Sequence, residues 1–205
     1  MTESMKEYHV IRTHTVPDWA EVEKLPVAEC PWGGEYRPEI FGQVAYQEGL
    51  GFHVRMTCRE TAPRAVYTHP DDMVCQDSCM EFFADFAPEA GKGYLNFEAN
   101  ANGTLLLGLG DGRHGRTRVR ELGCPLPQLV AFREGEYWGW QAFIPLTMIE
   151  AIYGKTEFAP GDVVRANLYK CGDKTEVVHY VVWNPIVAPG PDYHRPECFG
   201  RLIVD

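Results

Sequence analysis

The stretch Leu50-Gly51-Phe52-His53-Val54-Arg55-Met56-Thr57-Cys58 decides the fold class of this chain. Its larger apolar side chains recur at every second residue, with polar or small residues between them. In an extended strand, successive side chains point to opposite faces. The spacing therefore predicts a β-strand whose core-facing side is formed by Leu50, Phe52, Val54, Met56 and Cys58.

Seven more segments alternate in the same way, separated by turn residues such as glycine, asparagine and aspartate. They are Asp77–Asp85, Gly93–Ala99, Thr104–Leu109, Gln128–Arg133, Tyr137–Ile144, Val163–Cys171 and Val177–Trp183. Two short helices are predicted, one over Pro17–Lys24 with Asp18 as N-cap and one over Leu146–Tyr153. The absence of a βαβ rhythm and of a glycine-rich phosphate loop excludes a nucleotide-binding α/β fold. We predict an all-β fold, an antiparallel β-sandwich with one or two short helices.

The composition limits the classes of function. The 205 residues carry 19 Lys and Arg against 29 Asp and Glu, which gives a formal net charge of −10. This balance excludes a general nucleic-acid binder, which needs a basic surface for phosphates. No apolar stretch approaches the roughly 20 residues of a membrane span, and the first thirty residues lack the apolar run of a secretory signal. We expect one domain over residues 1–205, soluble and cytoplasmic.

The cysteines indicate reduced thiols rather than a disulfide scaffold. They stand singly and their number is odd: Cys30, Cys58, Cys75, Cys79, Cys124, Cys171 and Cys198. Cys75 and Cys79 are four residues apart in a strand-like segment, and the chain has no C-x-x-C pair. A closed quartet of zinc ligands is therefore not expected, and no metal is assigned.

The strand pattern also predicts a polar sheet face. Met80, Phe82, Leu95, Phe97, Ala166 and Leu168 are expected in the core. The opposite face then carries Glu81, Asn96, Glu98, Asn167 and Tyr169. Amides, carboxylates and a phenol together suit a polyhydroxylated ligand, because each hydrogen-bonds hydroxyl groups. The alternative is that these residues only solvate an exposed face.

Three blocks of sequence resemble carbohydrate-binding module family 9. They are Asp71–Phe83 (DDMVCQDSCMEFF), Tyr94–Asn100 (YLNFEAN) and a C-terminal pair, Trp183–Ile186 and Pro191–Gly200. The similarity is best to the branch found as separate chains in bacteria, which Asn167–Asp173 also fits. It extends from about Asp18 to the C-terminus.

The resemblance implies a β-sandwich of the DOMON type that holds a sugar between two tryptophans. On this chain the family's strand glutamate corresponds to Glu81, and its C-terminal aromatic residue corresponds to Tyr193. The second clamp tryptophan would fall near Val74 or Cys75, and neither is aromatic. Loss of one aromatic wall would weaken sugar affinity by about 1–2 kcal/mol.

The expected function is non-catalytic binding of a mono- or oligosaccharide. Tyr193 would stack on a sugar ring, with Trp138 as a further candidate platform. The predicted hydrogen-bonding groups are Glu81, Asn96, Glu98, Asn167 and Tyr169, with Asp192, His194 and Arg195 at the rim. Modules of this family are mostly attached to catalytic domains, so a glycoside hydrolase is a possible partner. Two alternatives stay open: a small glycoside-active enzyme that uses Glu81 and Glu98, and a module that binds a protein partner.

Two further groups of charged residues are candidate sites. The segment Asp111–Arg120 concentrates four arginines, and Arg113, Arg116 and Arg118 could clamp a uronate or phosphate. The alternative is a solvated loop paired with the abundant acids. Asp71, Asp72 and Asp77 could supply oxygens to calcium, which some family members carry, although no spaced loop signature is present. No other cofactor is expected.

Overall fold

The computed structural model describes residues 5–205, and its regular structure is almost entirely β. The strands are β1 (Glu7–Thr13), β2 (Leu25–Pro26), β3 (Ile40–Gln47), β4 (Gly51–Arg59), β5 (Cys79–Asp85), β6 (Tyr94–Asn100), β7 (Leu105–Gly110), β8 (Thr117–Arg118), β9 (Gln128–Glu134), β10 (Tyr137–Pro145), β11 (Val163–Cys171), β12 (Tyr180–Val182) and β13 (Gly200–Val204). The α-helix is α1 (Leu146–Tyr153), and short 3-10 turns cover Val74–Gln76, Pro88–Ala90, Val119–Leu122 and Pro196–Cys198.

The strands form one curled sheet in the order β8-β7-β6-β5-β11-β13-β1-β3-β4-β10-β9, with β12 beside β11 and β2 beside β3. Strand β1 joins the two halves. Its first residues pair with β13 and its last residues pair with β3, both in parallel. The other strand pairs are antiparallel. The sheet therefore folds over on itself as the predicted β-sandwich.

The core lies where the two halves face each other. A Cβ added to Gly42 on β3 would overlap the Leu168 side chain of β11, so the glycine lets the two halves approach closely here. The Trp140 indole of β10 donates to the Met80 carbonyl of β5 at 3.2 Å. The residues predicted to face the core do so: Met80, Phe82, Leu95, Phe97, Ala166 and Leu168 are at most 1% exposed.

Each predicted strand overlaps an observed strand, whereas β1, β2, β3, β8 and β13 have no counterpart among the predicted segments. Three predicted elements differ most from the structure. Leu50 lies in the turn before β4 and is 52% exposed, so the buried alternation begins at Phe52. Val177–Trp183 shortens to β12. Pro17–Lys24 forms a turn, because the Asp18 carboxylate accepts from the Ala20 amide at 3.0 Å and its carbonyl accepts from Glu21. Within residues 5–205, no helix is long and apolar enough to cross a membrane.

Trp138 belongs to this interior and not to a ligand platform. It is fully buried, and its indole Nε1 donates to the Glu60 carboxylate at 2.9 Å. The other Glu60 oxygen accepts from Ser78 at 2.8 Å, and the buried Lys170 ammonium lies 3.6 Å from Glu60. Glu60 therefore provides a counter-charge for Lys170, which lies on the core side of β11.

His179 completes this cluster as a neutral imidazole. An ammonium group can only donate hydrogen bonds, so Lys170 Nζ donates to His179 Nε2 at 2.6 Å. The other ring nitrogen, Nδ1, then carries the proton and donates to the Val177 carbonyl at 2.7 Å. Burial, reinforced by the charge of Lys170, lowers the pKa of His179 to about 4.

We predict that His179 makes the fold sensitive to acid. The unfolded imidazole gains its proton near its ordinary pKa of 6.5, whereas the folded one resists protonation down to about 4. The free energy of unfolding should therefore fall as the pH falls through this window. In His179→Asn, urea unfolding across the window should show a smaller loss. His14→Asn, at an exposed imidazole, is the matched control, and equal slopes in His179→Asn and parent would contradict the assignment.

Candidate functional site

A cleft of about 480 Å³ opens over the outer face of β5, β6 and β11. Glu81 of β5, Asn96 and Glu98 of β6, and Cys171 of β11 line its floor. The loop between β7 and β8 forms one wall, and the segment before β13 forms the other. Nine of the predicted site residues border the cleft: Glu81, Asn96, Glu98, Arg113, Arg116, Arg118, Asp192, Tyr193 and His194.

Two carboxylates lie side by side on this floor. Glu81 and Glu98 are directly opposite each other in the antiparallel register, so both side chains point to the same face. They are 2% and 6% exposed. Burial raises the pKa of Glu98 to about 7, although a hydrogen bond from Asn96 acts against this. Burial and the neighbouring Glu98 raise the pKa of Glu81 well above its ordinary value. The protonated forms can donate hydrogen bonds as well as accept them.

Asn96 and Arg116 hold this floor in place. The Asn96 amide donates to Glu98 at 2.7 Å and accepts from Arg116 Nε at 2.9 Å. The remaining Arg116 nitrogens donate to four backbone carbonyls, and its guanidinium lies 4.3 Å above the Tyr94 ring. Arg116 is therefore committed to the wall, and the predicted three-arginine anion clamp is not assembled.

The other two arginines differ from Arg116. Arg113 pairs with Asp192 at 3.3 Å. Arg118 lines the cleft, and the described residues give it no ion pair. Of the predicted clamp, Arg118 is thus the guanidinium left to meet a ligand.

Tyr193 borders the cleft, but its ring is packed. It lies 4.2 Å from the Tyr169 ring at an interplanar angle of 7°, and its hydroxyl donates to the Lys170 carbonyl at 2.9 Å. Trp32 covers it from another side, with ring centroids 6.0 Å apart. Tyr193 is only 8% exposed, so the predicted stacking platform is instead a support.

Three more predicted residues lie outside the cleft. Asn167 is fully buried, because its amide nitrogen donates to the Asn184 carbonyl and its oxygen accepts from the Asn184 amide, both at 2.9 Å. Tyr169 is fully buried as well, and its hydroxyl donates to the Tyr193 carbonyl at 3.1 Å. Arg195 pairs with Asp192 at 2.8 Å beyond the rim. These residues fasten the C-terminal segment over the sheet.

His194 contributes a neutral wall. Its ring packs 5.0 Å from Phe83, and its Nδ1 lies 2.8 Å from the Tyr94 hydroxyl. Burial, with the nearby Arg116 and Arg113 charges, lowers the pKa of His194 to about 4. The imidazole is therefore uncharged at neutral pH.

Sequence reasoning missed several residues of the cleft. The cleft is also lined by Met73, Cys75, Cys171, Asp173 and Tyr180. Of these, Met73 and Asp173 are exposed, and Tyr180 is half-buried. A signal was present for Cys75 alone, because the resemblance placed the absent tryptophan near Val74 or Cys75. Val74 is buried, whereas Cys75 borders the cleft.

The three aspartates considered for calcium do not form an oxygen cage. Asp77 accepts from the backbone amides of Val66 and Tyr67 and from Asn100. Asp72 accepts from the backbone amides of Thr68 and His69. Asp71 accepts from the Leu107 amide and from Arg120 Nε. Each carboxylate thus accepts from groups of its own surroundings, and among the described residues the three do not gather into a group that could hold a metal ion.

A concave cleft that presents a few polar groups has the usual form of a small-ligand site. The sequence model of carbohydrate-binding family 9 matches residues 13–204, and the chain belongs to this family. The family is one of non-catalytic binding modules.

Solved structures show the same fold. A crystal structure from Bacteroides uniformis, described as a candidate carbohydrate-binding protein, is 25% identical with a TM-score of 0.82, covering 98% of this chain and 100% of that one. Two structures of carbohydrate-binding module family 9 from Caldicellulosiruptor kristjanssonii are similar to this chain in fold alone. The cellotriose complex has 11% identity and a TM-score of 0.67 over 97% and 93% of the chains. The glucose complex has 12% identity and a TM-score of 0.69, and the match covers 98% of this chain and 96% of that one. A search of curated proteins finds no match.

We predict that Gly108 protects the floor of the cleft. A Cβ at this position on β7 would lie 2.7 Å from Asn96 Oδ1 and 3.4 Å from Arg116 Nε. Gly108→Ala should displace the Asn96 amide and lower the free energy of unfolding by about 1–3 kcal/mol. Gly112→Ala, where nothing lies within 4 Å, is the control. Urea unfolding compares the two, and equal stability would refute the contact.

Proposed function

We propose that the chain is a non-catalytic carbohydrate-binding module and that its sugar site is this cleft. The observation that carries the proposal is the convergence of Glu81, Asn96 and Glu98 on the floor of one cavity. A volume of about 480 Å³ falls in the usual range for small-ligand sites. The family 9 modules solved with glucose and cellotriose support a saccharide as the ligand class.

The two carboxyl groups would read the sugar hydroxyls. Each can accept a hydroxyl proton when ionised and donate one when protonated, and the buried floor strengthens such bonds. The Asn96 amide is already bonded to Glu98 and Arg116, so it orients Glu98. Arg118 would donate to a ring or hydroxyl oxygen from the wall.

Tyr180 and Met73 would supply the apolar wall. Both line the cleft and neither is fully buried. Tyr193 supports Tyr180 edge-on, with ring centroids 6.3 Å apart at 78°. An aromatic ring beside the polar floor can pack against the C–H face of a pyranose. A single aromatic wall favours modest affinity, since a one-sided site buries less of the ligand.

The same geometry supports binding without hydrolysis. Glycoside hydrolysis uses two carboxyl groups that flank the scissile bond. Glu81 and Glu98 instead are adjacent on one sheet face, and burial raises the pKa of both. The pair therefore faces a ligand from one side only.

Titration calorimetry against a panel of mono- and oligosaccharides, with uronates included, tests the proposal. Saturable binding is expected for at least one neutral sugar. Glu98→Gln should weaken it about tenfold or more at about pH 8, because a hydrogen bond to an ionised group contributes about 1.5–3 kcal/mol.

Glu157→Gln, at an exposed glutamate outside the cleft, is the matched control and should bind like the parent. No heat with any sugar, or equal affinity in Glu98→Gln, would reject the site. Release of the aglycone from aryl glycosides, abolished by Glu98→Gln, would show an enzyme instead.

A second variant tests the aromatic wall. Tyr180→Leu should lower sugar affinity by up to about tenfold, since an aromatic contact contributes about 0.5–1.5 kcal/mol. The variant should keep the thermal stability of the parent, because Tyr180 is only partly buried. Unchanged affinity in calorimetry would exclude Tyr180 as the platform.

A further inference from the structure

One corner of the cleft floor joins Glu81 to two thiols that sugar recognition does not use, those of Cys79 and Cys171. Cys79 and Glu81 are two residues apart on β5 and therefore share its outer face. Cys171 of β11 is directly opposite Cys79 in the antiparallel register. One potential ligand atom from each of the three side chains lies within 4.8 Å of the others, and all three residues are buried.

The polar atoms of this corner are poorly matched without a cation. The Cys171 thiol donates to Glu81 Oε1 at 3.0 Å, and a thiol is a weak donor. In the described part of the chain, no arginine or lysine forms an ion pair with Glu81. Burying a carboxyl group with so weak a partner is costly, whereas a bound cation would satisfy it.

The donor set selects the kind of cation. Two sulfurs and one carboxylate oxygen suit Zn²⁺, which binds thiolates at about 2.3 Å and carboxylates at about 2.0–2.2 Å. Calcium and magnesium prefer cages of oxygen and are disfavoured here. Small rotations of the side chains would bring atoms within 4.8 Å onto the corners of a tetrahedron.

We propose that Cys79, Glu81 and Cys171 form a zinc-binding site beneath the floor of the cleft. Glu81 and Cys171 also line the cleft, which provides the path by which the ion enters. The fourth position faces the cleft, where water or the neighbouring Cys75 thiol completes the coordination. Spacing along the chain could not reveal this site, because Cys171 reaches Cys79 only through strand pairing.

Metal binding by the full chain tests the proposal. The chain is dialysed against a chelator and then against Zn²⁺, and bound zinc is measured by elemental analysis. One Zn²⁺ per chain is expected. Co²⁺ in place of Zn²⁺ should show sulfur-to-cobalt charge-transfer absorption, which reports thiolate ligands directly.

Variants identify the ligands. Cys79→Ser and Cys171→Ser should each weaken Zn²⁺ binding by more than about 100-fold, beyond the 10–100-fold typical of losing a secondary partner. Cys124→Ser, at a half-buried cysteine outside the cluster, should bind like the parent. Glu81→Gln tests the third ligand and keeps the side-chain volume. Circular dichroism verifies that each variant folds.

Several results would overturn the site. They are the absence of stoichiometric zinc, a cobalt spectrum without sulfur charge transfer, and parent-like affinity in folded Cys79→Ser or Cys171→Ser. Cys75→Ser separates the two completions of the shell, since only a Cys75 ligand would make that variant weaker. No sugar is added in these measurements, so their failure is distinct from failure of the saccharide proposal.

Discussion

The arrangement of the cleft depends on the burial of two carboxyl groups beside each other on neighbouring strands. Glu81 and Glu98 are opposite in register and nearly inaccessible. Burial of such a pair is unfavourable unless each group is hydrogen-bonded or protonated. The Asn96 amide donates a hydrogen bond to Glu98, and the Cys171 thiol donates one to Glu81. Arg116 in turn donates to the Asn96 oxygen and fixes the orientation of that amide. Those partners define the floor of the cleft.

The C-terminal segment covers this face of the sheet and buries it. Asn167 exchanges two hydrogen bonds with the backbone of Asn184, and the Tyr169 ring stacks on Tyr193. The segment therefore forms a second apolar cluster on the outer side of the sheet, separate from the sandwich core. A sheet face that would otherwise meet water becomes a recessed cleft, and its acids lose their hydration.

Alternation in the sequence identified the sheet face on which the cleft lies. Glu81, Asn96 and Glu98 lie where a period of two places them. The same pattern could not separate them from Asn167 and Tyr169, which share the face but lie under the C-terminal segment. Periodicity reports the direction of a side chain and not what covers it. The family resemblance predicted that Tyr193 belongs to the site, and the residue does border the cleft. Neither the resemblance nor the periodicity could predict that its ring stacks on Tyr169.

By itself, the sequence determined the all-β class, the core-facing residues and helix α1, because these follow from local spacing and turn chemistry. It also excluded nucleic acid as a general ligand through the acidic balance. Only the tertiary structure decided that β1 joins both halves in parallel, that Cys171 meets Cys79, and that Tyr180 rather than Tyr193 is the open ring. These features depend on contacts between distant segments, and such contacts are selected by the packing of the whole sheet and leave no local period.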